Sequence, residues 1–178
     1  ILHGLPGLAH RLRKTLFQLA PASPQFLMLM TRNALDTAPP LGRIHDFAVG
    51  DDPRQPKTLD LKNTGARLFT DAARIYAIAR GLFPTNTAQR LRLMARQRDA
   101  GETAAMIAAF HFIQMLRLRQ QCLELEAGSV GGNRIDPDSL NELDRRIQKE
   151  SFSQARKLQQ RLRMDFQHDS LEVRDGDV

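Results

Sequence analysis

"AAMIAAFHFIQMLRL", residues 104–118, is apolar almost all the way round a helical wheel. It lies within a helix predicted from about Glu102 to Glu126. A helix with no wide polar face is expected at the centre of a bundle, with Phe110, Ile113 and Leu116 in the core. On that reading His111 is a core histidine bonded to a neighbour, and Cys122 is a small buried hydrophobe.

The flanking sequence is helical too. "DLKNTGARLFTDAARIYAIARGL", residues 60–82, begins as an extended polar stretch and becomes a helix after Gly65. Leu68, Ala72, Ile75, Ala79 and Leu82 form its apolar stripe, and Gly81 and Pro84 close it. "TNTAQRLRLMARQR" opens another helix, capped by Thr85 or Asn86. After "GSVGGN", Asp136 is expected to cap a helix with Pro137 at its first position. Ser139 with Glu142 is the alternative capping box. Leu140, Leu143, Ile147, Leu158 and Leu162 give that last helix its expected buried side. At the start, Leu8, Leu12, Leu16 and Leu19 mark one helix ended by "APASP", and Phe26, Leu27, Met30 and Ala34 mark a second, stopped before Pro39. Between them and the bundle, "RIHDFAV" and "TLDLK" flank the turn-rich "GDDPRQPK", which predicts a β-hairpin. The expected fold is mainly α: an antiparallel helical bundle with a small β-hairpin near residues 43–62. Residues 1–40 read as a helical linker segment, 41–166 as the helical domain and 167–178 as a polar tail.

A chain of 178 residues is enough for one domain with its own core. No apolar run approaches the ~20 residues that span a bilayer, so no membrane partner is expected. The single cysteine excludes an internal disulfide and suits a cytoplasmic location. The start lacks an initiator methionine and the basic-then-apolar order of a signal peptide, so the chain reads as a piece of a longer protein. Net charge is +6, and residues 145–163 hold seven bases and one acid. Aromatic residues do not interleave with those bases, so DNA or RNA binding is not expected.

No nucleophile elbow, P-loop, zinc-helix or C-x-x-C motif is present. "GSVGGNRIDPD", residues 128–138, imitates the Gly-Ser and paired-aspartate order of polymerase-β-type nucleotidyltransferases. Its spacer is short, however, and Pro137 denies Asp136 and Asp138 an interior strand. No catalytic residue and no metal site is therefore assigned. What remains is a polar set among apolar residues: Lys62, Arg67, Asp71 and Arg74, then Arg90, then Gln114, Arg117 and Gln121. Arg67–Asp71 and Asp71–Arg74 have ion-pair spacings on a helix, contributing ~0.3–0.5 kcal/mol each if exposed. Arg117 is different, because a guanidinium in an apolar helix either pairs with a carboxylate such as Asp71 or faces a cleft where an anion sits.

"DLKNTGARLFTDAARIYAIARGL", "TNTAQRLR", "AFHFIQMLRLRQQ" and "NRIDPDSLNELDRRIQKESFSQARKLQ" together resemble the nucleotidyltransferase substrate-binding domain, over about residues 40–166. That family forms the C-terminal part of bacterial signal-transduction proteins that also carry CBS repeats and a nucleotidyltransferase domain. A looser similarity joins Lys62–Asp71 to a stretch near the nucleotide in the uridylyltransferases of nitrogen signalling, with Ala66 at the second glycine position. The resemblance implies a non-catalytic accessory domain beside an active site supplied by another domain, where Mg²⁺ would be held. Lys62, Arg67, Arg74, Arg90, Gln114, Arg117 and Gln121 are then the expected substrate- or nucleotide-binding set. The chain's own upstream nucleotidyltransferase and CBS domains, a nucleotide or phosphate ligand and a homodimer are the expected partners. The alternative is a regulatory or dimerisation module with no ligand site of its own.

Overall fold

The computed structural model describes residues 5–42, 46–49, 56–94 and 100–167. In chain order they form α1 (Pro6–Leu19), α2 (Pro24–Leu35), β1 (Leu59–Asp60), α3 (Arg67–Ala79), α4 (Thr87–Met94), α5 (Ala100–Glu126), β2 (Arg134–Ile135) and α6 (Glu142–Gln167). The fold is mainly α with a small antiparallel sheet, as the periodicity predicts.

The sheet pairs differently from the expected hairpin near 43–62. Leu59 lies opposite Ile135 and Asp60 opposite Arg134, so β1 joins a strand about 75 positions downstream. Phe47 makes a single bridge to Leu41 instead. Residues 43–45 and 50–55, which the hairpin would have used, lie outside the described residues. The pairing follows burial: Leu59 and Ile135 are both core residues, so this register puts two apolar side chains inward together.

The central helix is α3, not α5. Leu68, Phe69, Ala72, Ala73, Ile75, Tyr76, Ala77 and Ile78 are all buried, leaving the strip of Arg67, Thr70, Asp71 and Arg74 toward solvent and Ala79 half-buried at the end. α5 buries Met106, Ile107, Ala109, Phe110, Ile113 and Leu116, as expected for the last three. Its other side is open, with Met115 44% and Leu118 62% exposed. His111 and Cys122 share that open side, so neither is the core residue expected. Apolar composition records which residues gain by leaving water, but not whether a neighbour in the same chain covers them.

The last helix also turns its buried face differently. Leu158 and Leu162 are core, but Leu143 is 66% exposed and Ile147 38%. The buried side instead includes Gln148, Ser151, Phe152 and Gln159. Gln159 shows why a polar residue belongs there: its Nε2 donates to the carbonyls of Ala34 (3.2 Å) and Thr37 (2.8 Å), satisfying orphan acceptors at the end of α2. Asp136 caps only a short 3-10 turn, Pro137–Ser139, accepting the Asp138 N–H at 2.9 Å. Asn141 starts α6, accepting the Asp144 N–H at 2.8 Å while its amide returns to the Asp144 carboxylate.

Gly65 is a place of close approach in the core. A Cβ there would lie 3.1 Å from Ile113 Cγ2 and 3.5 Å from Phe152 Cε1. Ile113 would have to give by a few tenths of an ångström to admit one, whereas glycine lets the start of α3 rest on α5 and α6 without that shift. Gly65→Ala should therefore destabilise by about 1–3 kcal/mol in urea unfolding, and Ile113→Ala should make the double variant's loss less than additive.

Arg145 ties the 46–47 segment to α6, through Asp46 (3.0 Å), Asp138 (2.9 Å) and the ring of Phe47. Hydrogen bonds from Lys149 and then Arg145 hold the Asp46 carboxyl below the usual aspartate range. A depressed carboxylate stabilises above its unfolded pKa of about 3.9, and that contribution is lost as pH falls through the lower folded value. Asp46→Asn should thus flatten the acid limb of a stability–pH profile below about pH 4 and leave its neutral slope unchanged.

Candidate functional site

The site begins at a tight turn. Asp60, at the end of β1, accepts the backbone N–H groups of Lys62 (3.0 Å) and Asn63 (2.9 Å) on one carboxylate oxygen. Its other oxygen takes the Asn63 amide at 2.8 Å, and its carbonyl takes the Thr64 hydroxyl at 2.7 Å. These bonds hold Lys62–Ala66 as a single π turn, with Ala66 N–H reaching Leu61 O at 2.9 Å. The turn leads straight into α3, so Lys62 and Asn63 stand beside the solvent-facing strip of that helix.

The strip meets the flank of α5 across a cleft of about 400 Å³. Lys62, Arg67, Arg74, Gln114 and Arg117 line it, with Asn33, Asn63, Thr70 and Asp71 between them. Five of the seven residues singled out from sequence thus share one wall-to-wall site. Four cations face one carboxylate there. Asp71 accepts from Arg67 at 3.0 Å and from Arg74 at 3.3 Å, so its charge is shared by two exposed guanidiniums.

Arg117 takes none of that charge. Its Nε (3.2 Å) and Nη2 (2.7 Å) donate to the Asn133 amide oxygen, and its Nη1 donates to the Gln114 amide oxygen at 2.5 Å. Among the described residues this half-buried guanidinium has no ion pair. Neutral amides orient a cation without cancelling it, which leaves its field available to an anion. The carboxylate partner considered from sequence is not the one used.

Arg90 and Gln121 stand apart. Arg90 donates from Nε to the Pro84 carbonyl at 2.8 Å and braces the loop after α3. Burial first, then the positive charges of Arg74 and Arg13, push its pKa below the usual arginine range. Gln121 sits behind Arg117 and reaches the same Asn133 oxygen at 3.4 Å.

Asn133 and Asp60 carry much of the geometry and were not singled out from the sequence. Asp60 had a legible signal, because an aspartate two and three residues before backbone donors is an Asx turn. Asn133 had none: it reaches Arg117 through a loop whose Gly132 N–H is held by the Glu124 carboxylate. Bonds from Gln120 and then that N–H keep Glu124 below the usual glutamate range. The decoy aspartates are occupied elsewhere, Asp136 by a backbone N–H and Asp138 by Arg145 at 2.9 Å.

The family described as "Putative nucleotidyltransferase substrate binding domain" matches residues 24–166. This chain belongs to that family. No curated protein and no solved structure gives a match. The matched span includes α2, whose Asn33 lines the cleft, together with every other cleft residue named above.

Because no carboxylate depends on Arg117, Arg117→Met should cost no more than about 1–3 kcal/mol, the scale of hydrogen bonds from a charged donor to neutral amides. Thermal melts check this directly. A loss of several kcal/mol would show an acidic partner stranded by the change.

Proposed function

We propose that this domain binds the phosphate-bearing part of a nucleotide or phosphorylated substrate, as the non-catalytic C-terminal accessory domain of a cytoplasmic signal-transduction nucleotidyltransferase. The carrying observation is the uncompensated Arg117 in a cleft where four cations meet one carboxylate. Lys62 offers a mobile point charge, while Arg74 and Arg117 offer planar forks suited to phosphate oxygens. Gln114 keeps its amide N–H donors for the ligand while its oxygen holds Arg117. Metal and nucleophile would come from the catalytic domain, since the cleft itself supplies donors and spends its one carboxylate on arginines. Family membership supports the substrate-binding role, and no helix among the described residues is long and apolar enough to cross a membrane.

Calorimetric titration with inorganic pyrophosphate and with nucleoside triphosphates, without Mg²⁺, tests the reading. Wild-type chain should bind, and affinity should fall as salt rises from about 50 to 500 mM. Arg117→Met and Arg74→Met should each weaken binding about 10-fold or more, as expected for lost charge-assisted bonds. The chain alone should transfer no nucleotidyl group. Binding unaffected by both substitutions, or no binding at low salt, overturns the proposal.

A further inference from the structure

The charge and lining of the basic cleft limit which part of a ligand it can read. Its described lining residues supply four cations, Lys62, Arg67, Arg74 and Arg117, and one carboxylate, Asp71, a net charge of +3. A phosphate monoester carries about −1.5 to −2 near pH 7, so one group answers only part of that charge and two or three linked groups answer it fully. Space agrees with charge. At roughly 30 Å³ per water, a cleft of about 400 Å³ has room for about a dozen waters, far more than one phosphate group displaces. The cations also stand on both walls. Arg67 and Arg74 converge on Asp71 along α3, while Arg117 is held on α5 by Gln114 and Asn133.

A nucleobase finds little to recognise it here. Among the described lining residues Ala66 is the one apolar side chain and none is aromatic, so no apolar slot receives a ring. The guanidiniums of Arg67 and Arg74 offer flat surfaces, but stacking on them does not tell bases apart, because every base has a π-face. The amides able to read a base edge are largely committed. Asn63 donates to Asp60 at 2.8 Å, and Gln114 gives its oxygen to Arg117. Asn33 is exposed, where water competes for its bonds and a net gain is small.

We propose that the ligand group is a linear polyphosphate, as in a nucleoside triphosphate or pyrophosphate, recognised by its number of phosphates and not by its base. This rests on the phosphate-binding reading above and narrows it. A bound nucleotide places its phosphates between the walls and leaves its base outside them. Any choice among bases then belongs to surfaces beyond this cleft.

Calorimetric titration of the 178-residue chain without Mg²⁺, at one ionic strength of about 50 mM, compares orthophosphate, pyrophosphate, tripolyphosphate, ATP, GTP, UTP and adenosine. Pyrophosphate should bind at least about 10-fold more tightly than orthophosphate, since a charge-assisted bond is worth about that factor. Tripolyphosphate should bind at least as tightly as pyrophosphate. The three nucleotides should agree with one another and with tripolyphosphate within about 5-fold, a difference smaller than one such bond. Adenosine should not bind. Arg117→Met should weaken tripolyphosphate and ATP by the same factor, which puts both in this cleft. One triphosphate preferred over the others by more than about 10-fold overturns the inference and leaves the phosphate-binding function standing, as does orthophosphate binding as tightly as pyrophosphate. No binding of any phosphate compound overturns both.

Discussion

Burial of α3 on every side but one constrains most of what surrounds it. Eight of its thirteen residues are removed from water, so its polar residues have a single strip available. α2, α4 and α6 must close over the rest, and the chain must enter the helix where α5 and α6 pack together. Gly65 makes that entry feasible. The position of the basic cleft follows from it, because the strip of α3 that stays wet is the strip beside α5.

Within the cleft, the arginines differ in how far their charge is already answered. Arg67 and Arg74 share Asp71 in solvent, where such pairs contribute little and exchange partners readily. Arg117 is fixed by amide oxygens, which set its direction and leave its charge in place. Arg90 is spent on a loop carbonyl, yet its positive field reaches Arg74. The site is therefore built in two tiers: oriented donors near α5 and loosely held ones on α3. An arriving anion meets donors of both kinds.

Much of this was legible in the sequence because helices announce themselves by period. The presence of the helices after Gly65, the glycine end of α3, the asparagine start of α4 and the core role of Phe110, Ile113 and Leu116 follow from local sequence, while the start of α6 at Asn141 does not. Lys62, Arg67, Arg74, Gln114 and Arg117 could be grouped because charge among apolar residues needs a reason. What stayed hidden depends on contacts distant in sequence. The pairing of β1 with β2, and the grip of Asn133 on Arg117, join segments that no local pattern links. The ranking of α3 over α5 was hidden for another reason. Hydrophobicity on α5 is as high as in a core, but part of it faces outward, and Leu143 and Ile147 of α6 do the same while Gln159 goes inside.

The π turn at 62–66 has an evolutionary consequence. One residue more or fewer in a helical turn rotates everything before it by about 100° relative to everything after. At this place that rotation would swing Lys62 and Asn63 away from the wet strip of α3 while leaving β1 anchored to β2. Insertions and deletions in this family should therefore be tolerated in the loop after Gly81, where the chain runs over the surface, and purged between Leu61 and Arg67.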